Sequence, residues 1–306
     1  MNLTANRSSW LQETLASLAV ASGIGYVATV YTVSRWLTRS TRTKPTLPDD
    51  AWNCTWQELE CRTSDGLKLK GWAITPPHPR ATIAIFHGIR GDRTRTLNRV
   101  ALLVRAGYRC VAFDHRAHGE SDGRVTSFGY FEGRDVSAVL DLIRHAWPSE
   151  RRVALGVSMG AAALCYSPEA ARACDAIILE SVYHDLLSTF HNRIGTEFPG
   201  WFRHFSKGVV WLTERRLRLR MEQLSPWRCI HELAPAPVLL LTGERDEHAT
   251  PEEVRLIYES CREPREFHII PEAGHTDIVE VGGRRYEELI LGFLERRLAA
   301  GRRLAA

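Results

Sequence analysis

The sequence predicts an α/β fold: a doubly wound, mostly parallel sheet covered by helices on both faces, with one inserted helical cap and one N-terminal transmembrane helix ahead of it. Three observations carry this. From residue 81 onward, short apolar runs alternate with amphipathic stretches of helical period. At Arg152–Leu164 an apolar run, RVALGV, passes directly into the small-residue stretch MGAAAL, with Ser158 at the junction. Between Tyr183 and Arg228, about 46 residues break the alternation with helical periodicity and no strand-like run.

Composition bounds the reading. The chain has 306 residues, 44% hydrophobic and 25% charged, which is ordinary for a globular protein and long enough for one large α/β domain. A net charge of +4, without an aromatic-interleaved basic tract or zinc-finger spacing, sets nucleic-acid binding aside. Seven cysteines, with no Cys-x-x-Cys pair and several in apolar patterns, predict buried free thiols rather than a disulfide framework. Twelve histidines include no His-Glu-x-x-His and no paired ligand spacing, so no metal is expected.

Taken in order, the first feature of the chain is a run of 21 residues lacking any charge, Thr14 to Ser34. As a helix this run would be about 31 Å long, the thickness of a bilayer core. Its rivals are a cleavable signal peptide, opposed by the nearly neutral start and the missing cleavage site, and a buried helix of a soluble domain, opposed by the length of the run. The expectation is an uncleaved membrane span, loosened as a helix by Gly23 and Gly25. Arg35, Arg39, Arg42 and Lys44 follow it whereas only Arg7 precedes it, which predicts a single-pass protein with its globular part in the cytoplasm. Residues 1–50 are thus an anchor and linker, and 51–306 the globular domain.

Within that domain, the stretches NCTWQELECRT and LKLKGWAIT form an antiparallel pair around Ser64 to Gly66. Next come strand ATIAIFHG, a helix ending at Gly107, strand CVAFD, the helix from Glu132, strand VALGV, the Ser158 turn and a helix through Ala171, then strand AIILES. The insertion at about 183–228 carries Phe190, Phe198, Trp201, Phe202, Phe205, Trp211 and Trp227, and reads as a cap. Its run of Arg215, Arg216, Arg218 and Arg220 is a solvated helix face or a contact for anionic headgroups. Strand PVLLLTGE, helix PEEVRLIYESC, strand EFHIIPE and a last helix from about Arg284 to Ala299 complete the chain.

The chemistry gathers at the Ser158 junction. Gly156 and Gly160 stand two residues either side of the serine, where a sharp strand-to-helix turn leaves no room for a Cβ. A serine hydroxyl is a weak nucleophile that needs a base, itself oriented by a carboxylate. Asp246 follows the strand LLLTGE and His275 the strand FHIIPE, both at carboxyl ends, where sites of open parallel sheets collect. Ser, Asp, His is also the chain order expected of a nucleophile on a Gly-x-Ser-x-Gly elbow. Glu244 and Glu247 are rivals for the acid. His248, Asp277 and Glu272 read as loop polar groups, and His87, His115, His118 and Asp114 as turn-structuring residues.

From roughly Trp56 to Arg297 the sequence resembles the α/β-hydrolase superfamily. Beyond the elbow, IFHGIRG resembles its oxyanion loop and DHRAHGES its Asp-x-Arg-Gly-His-Gly-x-Ser segment, with Ala117 in place of a glycine. The N-terminal run, the FGYFEGRD stretch and the Gly-x-x-Asp before the last helix look most like membrane-anchored hydrolases of the Bem46 and ABHD13 type. The resemblance implies Ser158 as nucleophile, His275 as general base and then acid, Asp246 as its orienter, and the backbone N–H groups of Ile89 and Met159 as the oxyanion hole. It implies an enzyme that cleaves carboxylic esters or thioesters through an acyl-serine, on a small-molecule or lipid-like acyl substrate, without metal or organic cofactor. Amide or peptide hydrolysis and acyl transfer by the same residues are the alternatives, and a non-catalytic scaffold of the same fold is a further one.

Overall fold

A computed structural model describes residues 4–47, 51–190, 200 and 203–300. Among them, eight strands form one sheet: β1 Thr55–Arg62, β2 Lys68–Thr75, β3 Thr82–Phe86, β4 Arg109–Phe113, β5 Arg152–Val157, β6 Ala176–Glu180, β7 Val238–Gly243 and β8 Arg265–Ile270. Their spatial order is β1-β2-β4-β3-β5-β6-β7-β8. β1 pairs antiparallel with β2, and β2 antiparallel with β4; every later pairing is parallel. The central strands are buried along their whole length, because helices cover both faces of a parallel sheet.

The period-two alternation of side chains sorts the core into two layers. Ile83, Ile85, Leu155, Ile178, Leu239 and Leu241 point to the face covered by the helices Leu97–Arg105 and Ile278–Ala300, which supply Val100, Leu103, Tyr286, Ile290 and Phe293. Ala84, Phe86, Val111, Ala154, Ile177 and Leu240 point the other way, onto Val136, Val139, Leu140 and Ile143 of the helix Glu132–Ala146. The elbow helix spans Met159–Cys165 and a separate short helix Pro168–Ala171, rather than one helix through Ala171; Pro168 lacks the N–H that continuation needs. The last helix starts at Ile278, six residues before the sequence-based boundary, and bends at Gly283, whose φ is +43°.

A third apolar cluster joins the inserted segment to the N-terminal helix, and here the sequence expectation is corrected. Residues Thr4–Leu37 form a helix, but among the described residues no helix is long and apolar enough to cross a membrane. The charge-free run is rich in Ala, Ser, Thr and Gly, and one face of the helix toward its C-terminal end packs on protein while Ile24, Val27 and Tyr31 stay exposed. Val30, Ser34 and Leu37, at helical spacing, are buried. The Tyr26 ring stacks on Phe205 with centroids 5.0 Å apart, and the Thr213 hydroxyl donates to Ser34 Oγ at 3.1 Å, both contacts to the helix Arg203–Leu217. Gly208 permits the approach, since a Cβ there would lie 2.6 Å from Tyr26 Oη.

The transmembrane helix, the membrane partner and the single-pass cytoplasmic orientation therefore all fall together. The arginines that suggested the orientation have local work. Arg35 donates to Tyr31 Oη at 3.2 Å, and Arg42 donates to the carbonyls of Ser121 and Gly123. Arg216, in the arginine run, donates to Thr38 Oγ1 at 3.2 Å, and Arg215 lies over the Trp211 ring. Beyond the helix, Thr41 exchanges backbone hydrogen bonds with Ala117 and Gly119, and Thr43 donates to Asp92. The linker is thereby stitched along the loops after β3 and β4.

Candidate active site

Ser158 occupies the turn between β5 and the elbow helix, with φ 52° and ψ −110°, a backbone conformation that a non-glycine residue rarely adopts. Two features hold it there. Its N–H donates to the Glu180 carbonyl of β6 at 2.8 Å, and the two flanking glycines let backbone approach backbone. A Cβ on Gly156 would lie 2.5 Å from Ala161 N, and one on Gly160 would lie 2.3 Å from the Phe86 carbonyl oxygen of β3.

Two loops deliver the partners. Glu244 N donates to the Ile270 carbonyl and Arg245 N to that of Ala273, which zips the loop after β7 to the loop after β8. This places His275 Nδ1 2.9 Å from both carboxylate oxygens of Asp246, and His275 Nε2 3.0 Å from Ser158 Oγ. A carboxylate can only accept, so Nδ1 carries the proton and Nε2 is left to accept the serine hydroxyl. Burial of Asp246 works against its charge, but the His275 ring and the amides of Ala249 and His248 outweigh it and hold the carboxyl below its ordinary pKa.

The rival acids lie elsewhere. Glu244 accepts the Glu272 amide at 2.9 Å, Glu272 pairs with Arg245, and Asp277 accepts from Gly274 N at 2.7 Å. The His248 ring packs edge-on against His275, with centroids 5.0 Å apart.

His87 and His118 shape the loop that carries Ile89. The His87 ring donates from Nδ1 to the Gly88 carbonyl at 2.7 Å and accepts the His115 amide at Nε2. The His118 ring donates to the Arg116 carbonyl and accepts the Arg90 amide at 3.2 Å. Both roles require neutral imidazoles, and burial pushes both rings below the ordinary histidine pKa, His87 the further. Asp114, buried, accepts from the Arg93 amide at 2.8 Å and pairs with its guanidinium, anchoring the same loop from below. With Arg90 N and Gly91 N engaged, the Ile89 amide has no acceptor among the described residues, and Ile89 lines the same cavity as Ser158; the Met159 amide begins the elbow helix.

Two cavities meet at Ser158 and His275. One, of about 60 Å³, is apolar, with walls that include Leu37, Ile89, Phe128, Leu186, Phe190 and Met221. The other, of about 440 Å³, is polar and opens beside Arg95, Asn98, Thr276 and Glu280. Of the cap aromatics, Phe190 reaches the apolar cavity, Phe205 packs on Tyr26, Trp227 stacks on His184, and Trp211 is exposed. Phe198, Trp201 and Phe202 lie outside the described residues.

Leu37, Phe128 and Met221 were not singled out in the sequence. Nor was Glu132, although it lies in the noted FGYFEGRD stretch. Its buried carboxylate accepts from Thr126 and Ser127 hydroxyls and from the amides of Ser127 and Gly129. That fold of the loop presents Phe128, at φ +58°, whose carbonyl accepts the Tyr183 hydroxyl at 2.7 Å. A Glu two residues beyond Gly-Tyr in that stretch was the available signal.

A serine on a strand-to-helix elbow of this sheet, with a carboxylate and a histidine brought to it by the loops after β7 and β8, defines a serine hydrolase of the α/β-hydrolase fold. Known proteins agree with that class. A family model described as serine aminopeptidase, S33, matches residues 77–214. The chain is similar to YfhR of Salmonella typhimurium, 28% identical over 265 residues covering 80% of this chain and 83% of that protein. It is similar to YqkD of Bacillus subtilis, 24% identical over 237 residues covering 75% and 76%. Among solved structures it resembles the Pyrococcus furiosus esterase Pf2001, with a TM-score of 0.70, 22% identity, and coverage of 85% of this chain and 98% of that one. The finer likeness to membrane-anchored hydrolases of the Bem46 and ABHD13 type is corrected. The matching model is of the S33 type, the structural likeness is to an esterase, and no described helix has the length and apolarity of a span.

Proposed function

We propose that the protein hydrolyses carboxylic esters or thioesters with small apolar acyl groups, through an acyl-serine formed on Ser158. The observation that carries the reading is the continuous hydrogen-bonded chain from Ser158 Oγ through His275 to Asp246. In acylation, His275 Nε2 takes the Ser158 proton as Oγ attacks the substrate carbonyl carbon. The resulting oxyanion is held by the Ile89 and Met159 amides, each worth about 10²- to 10³-fold in rate. Collapse breaks the bond to the alkoxide or thiolate, which leaves with the proton from His275. Water then gives its proton to the same nitrogen, attacks the acyl carbon, and releases the acid while Ser158 Oγ recovers its proton. Asp246 stays ionised throughout, fixing the Nδ1–H tautomer and stabilising the imidazolium.

A second reading, amide or peptide hydrolysis, is favoured by the description of the matching family model. One experiment separates the two: fluorophosphonate labelling of the protein beside Ser158→Ala and His275→Ala controls, followed by rates on p-nitrophenyl esters and on aminoacyl p-nitroanilides. Labelling lost in both variants, with ester cleavage dominant, is expected. Absence of labelling in the folded wild type would sink the enzyme reading, and cleavage of anilides alone would move it to peptidase.

The small apolar cavity carries a further expectation. Wild type should prefer short acyl chains, and Leu37→Ala should move the preference to longer ones. Each extra buried methylene is worth up to about 0.8 kcal/mol, roughly fourfold in kcat/KM. Rates on esters from acetate to octanoate test this; an unchanged profile would exclude Leu37 as a wall of the acyl site.

A further inference from the structure

Resting on the ester-hydrolase reading, the geometry points to substrates whose leaving alcohol or thiol carries an anionic group, a carboxylate or phosphate, which we propose is bound by Arg95 in the polar cavity beside Ser158.

The two cavities that share Ser158 and His275 differ in kind. An apolar chain fits the small one, which leaves the larger, polar one for the half of the substrate that departs with the His275 proton. The cations along that larger cavity are not equivalent. Arg99 is buried, and its guanidinium donates twice to Glu180 Oε2, at 2.9 and 2.6 Å, so its charge is neutralised within the protein. Arg90 lies over the Trp36 ring, its guanidinium carbon 3.4 Å from the centroid. Arg95 is exposed, and its side chain has no hydrogen bond, ion pair or ring contact among the described residues.

Its stem is nonetheless placed. It packs over Gly91, where a Cβ would lie 3.0 Å from Arg95 Cγ, so the loop that carries Ile89 also sets the direction of Arg95. The carboxylate on the same cavity, Glu280, accepts from Asn98 Nδ2 at 2.6 Å, while Asn98 Oδ1 accepts from Arg99. A guanidinium with no internal partner, facing a polar cavity that contains the nucleophile, suits a planar or tetrahedral oxyanion that it can bind in bidentate fashion.

The test compares para-butyryloxybenzoate, its neutral benzamide counterpart and para-butyryloxyphenyl phosphate, on wild type, Arg95→Gln and Arg95→Lys proteins. The readout is the ratio of kcat/KM for each anionic ester to that for the neutral one. In Arg95→Gln this ratio is expected to fall about fivefold, the upper range for a solvent-exposed charge pair, and Arg95→Lys should recover most of it. Salt should lower the wild-type ratio as it screens the pair. A fall for the benzoate alone assigns a carboxylate, for the phosphate alone a phosphate, and for both an oxyanion of either kind. A ratio in Arg95→Gln within twofold of wild type overturns the proposal, including the case in which all three rates fall together. Wild-type cleavage of the neutral ester tests the underlying ester reading separately; if none of the three esters is cleaved, both fall.

Discussion

Ser158→Ala and His275→Ala are expected to lower kcat on a p-nitrophenyl ester by about 10⁴- to 10⁶-fold, and the double variant little further, because groups acting as a unit are not additive. The reason lies in the contacts. Without Oγ there is no atom 3.0 Å from His275 Nε2 to be activated, and without the ring the serine hydroxyl keeps its proton. Asp246→Asn should cost about 10⁴-fold by a different route. An amide can turn its NH₂ toward His275 Nδ1, which forces the proton onto Nε2, the position that must accept. Initial rates with matched melting curves check all three. Full activity in Ser158→Ala would remove the serine from the reaction, and near-wild-type activity in Asp246→Asn would return the acid role to another carboxylate.

Gly160→Val is expected to destabilise the fold by about 3 to 5 kcal/mol, lowering the melting temperature by roughly 10 °C in a domain of this size. The added Cβ would lie 2.3 Å from the Phe86 carbonyl oxygen and 2.9 Å from that of His87. These are main-chain atoms that cannot swing aside. Phe86 is paired on both sides, with Phe113 of β4 and Gly156 of β5, so relieving the clash means lifting the elbow helix off the sheet or breaking a central ladder. Either movement also shifts the loop bearing Ile89. Gly23, where a Cβ would meet nothing within 4 Å, provides the comparison: Gly23→Ala should be neutral or slightly stabilising. Thermal unfolding of both variants measures the difference, and a fully stable Gly160→Val protein would mean that the elbow does not pack on β3.

Local sequence was enough for the alternating architecture and the identity of the elbow, because both depend on local rules: short apolar runs for strands buried on both faces, a turn that excludes Cβ atoms, and a chain order that reflects the sequence of parallel strands. It also narrowed the histidine and the acid to the ends of β7 and β8. Tertiary structure decided which carboxylate met the ring. Glu244, Asp246 and Glu247 lie within four residues, and only the main-chain zipper between the two loops turns Asp246 inward, onto His275 and two amides.

The N-terminal helix marks the other boundary. A charge-free run reads alike whether its apolar face meets hydrocarbon or protein, since periodicity reports that a face is to be buried and not what buries it. Here Val30 and Ser34 meet a helix nearly 180 residues further along the chain, and Leu37 joins the same apolar cluster, an encounter that no local pattern encodes. Through it, Leu37 becomes a wall beside Ser158. Local sequence places Ser158 on its turn, and long-range packing builds the pocket around it.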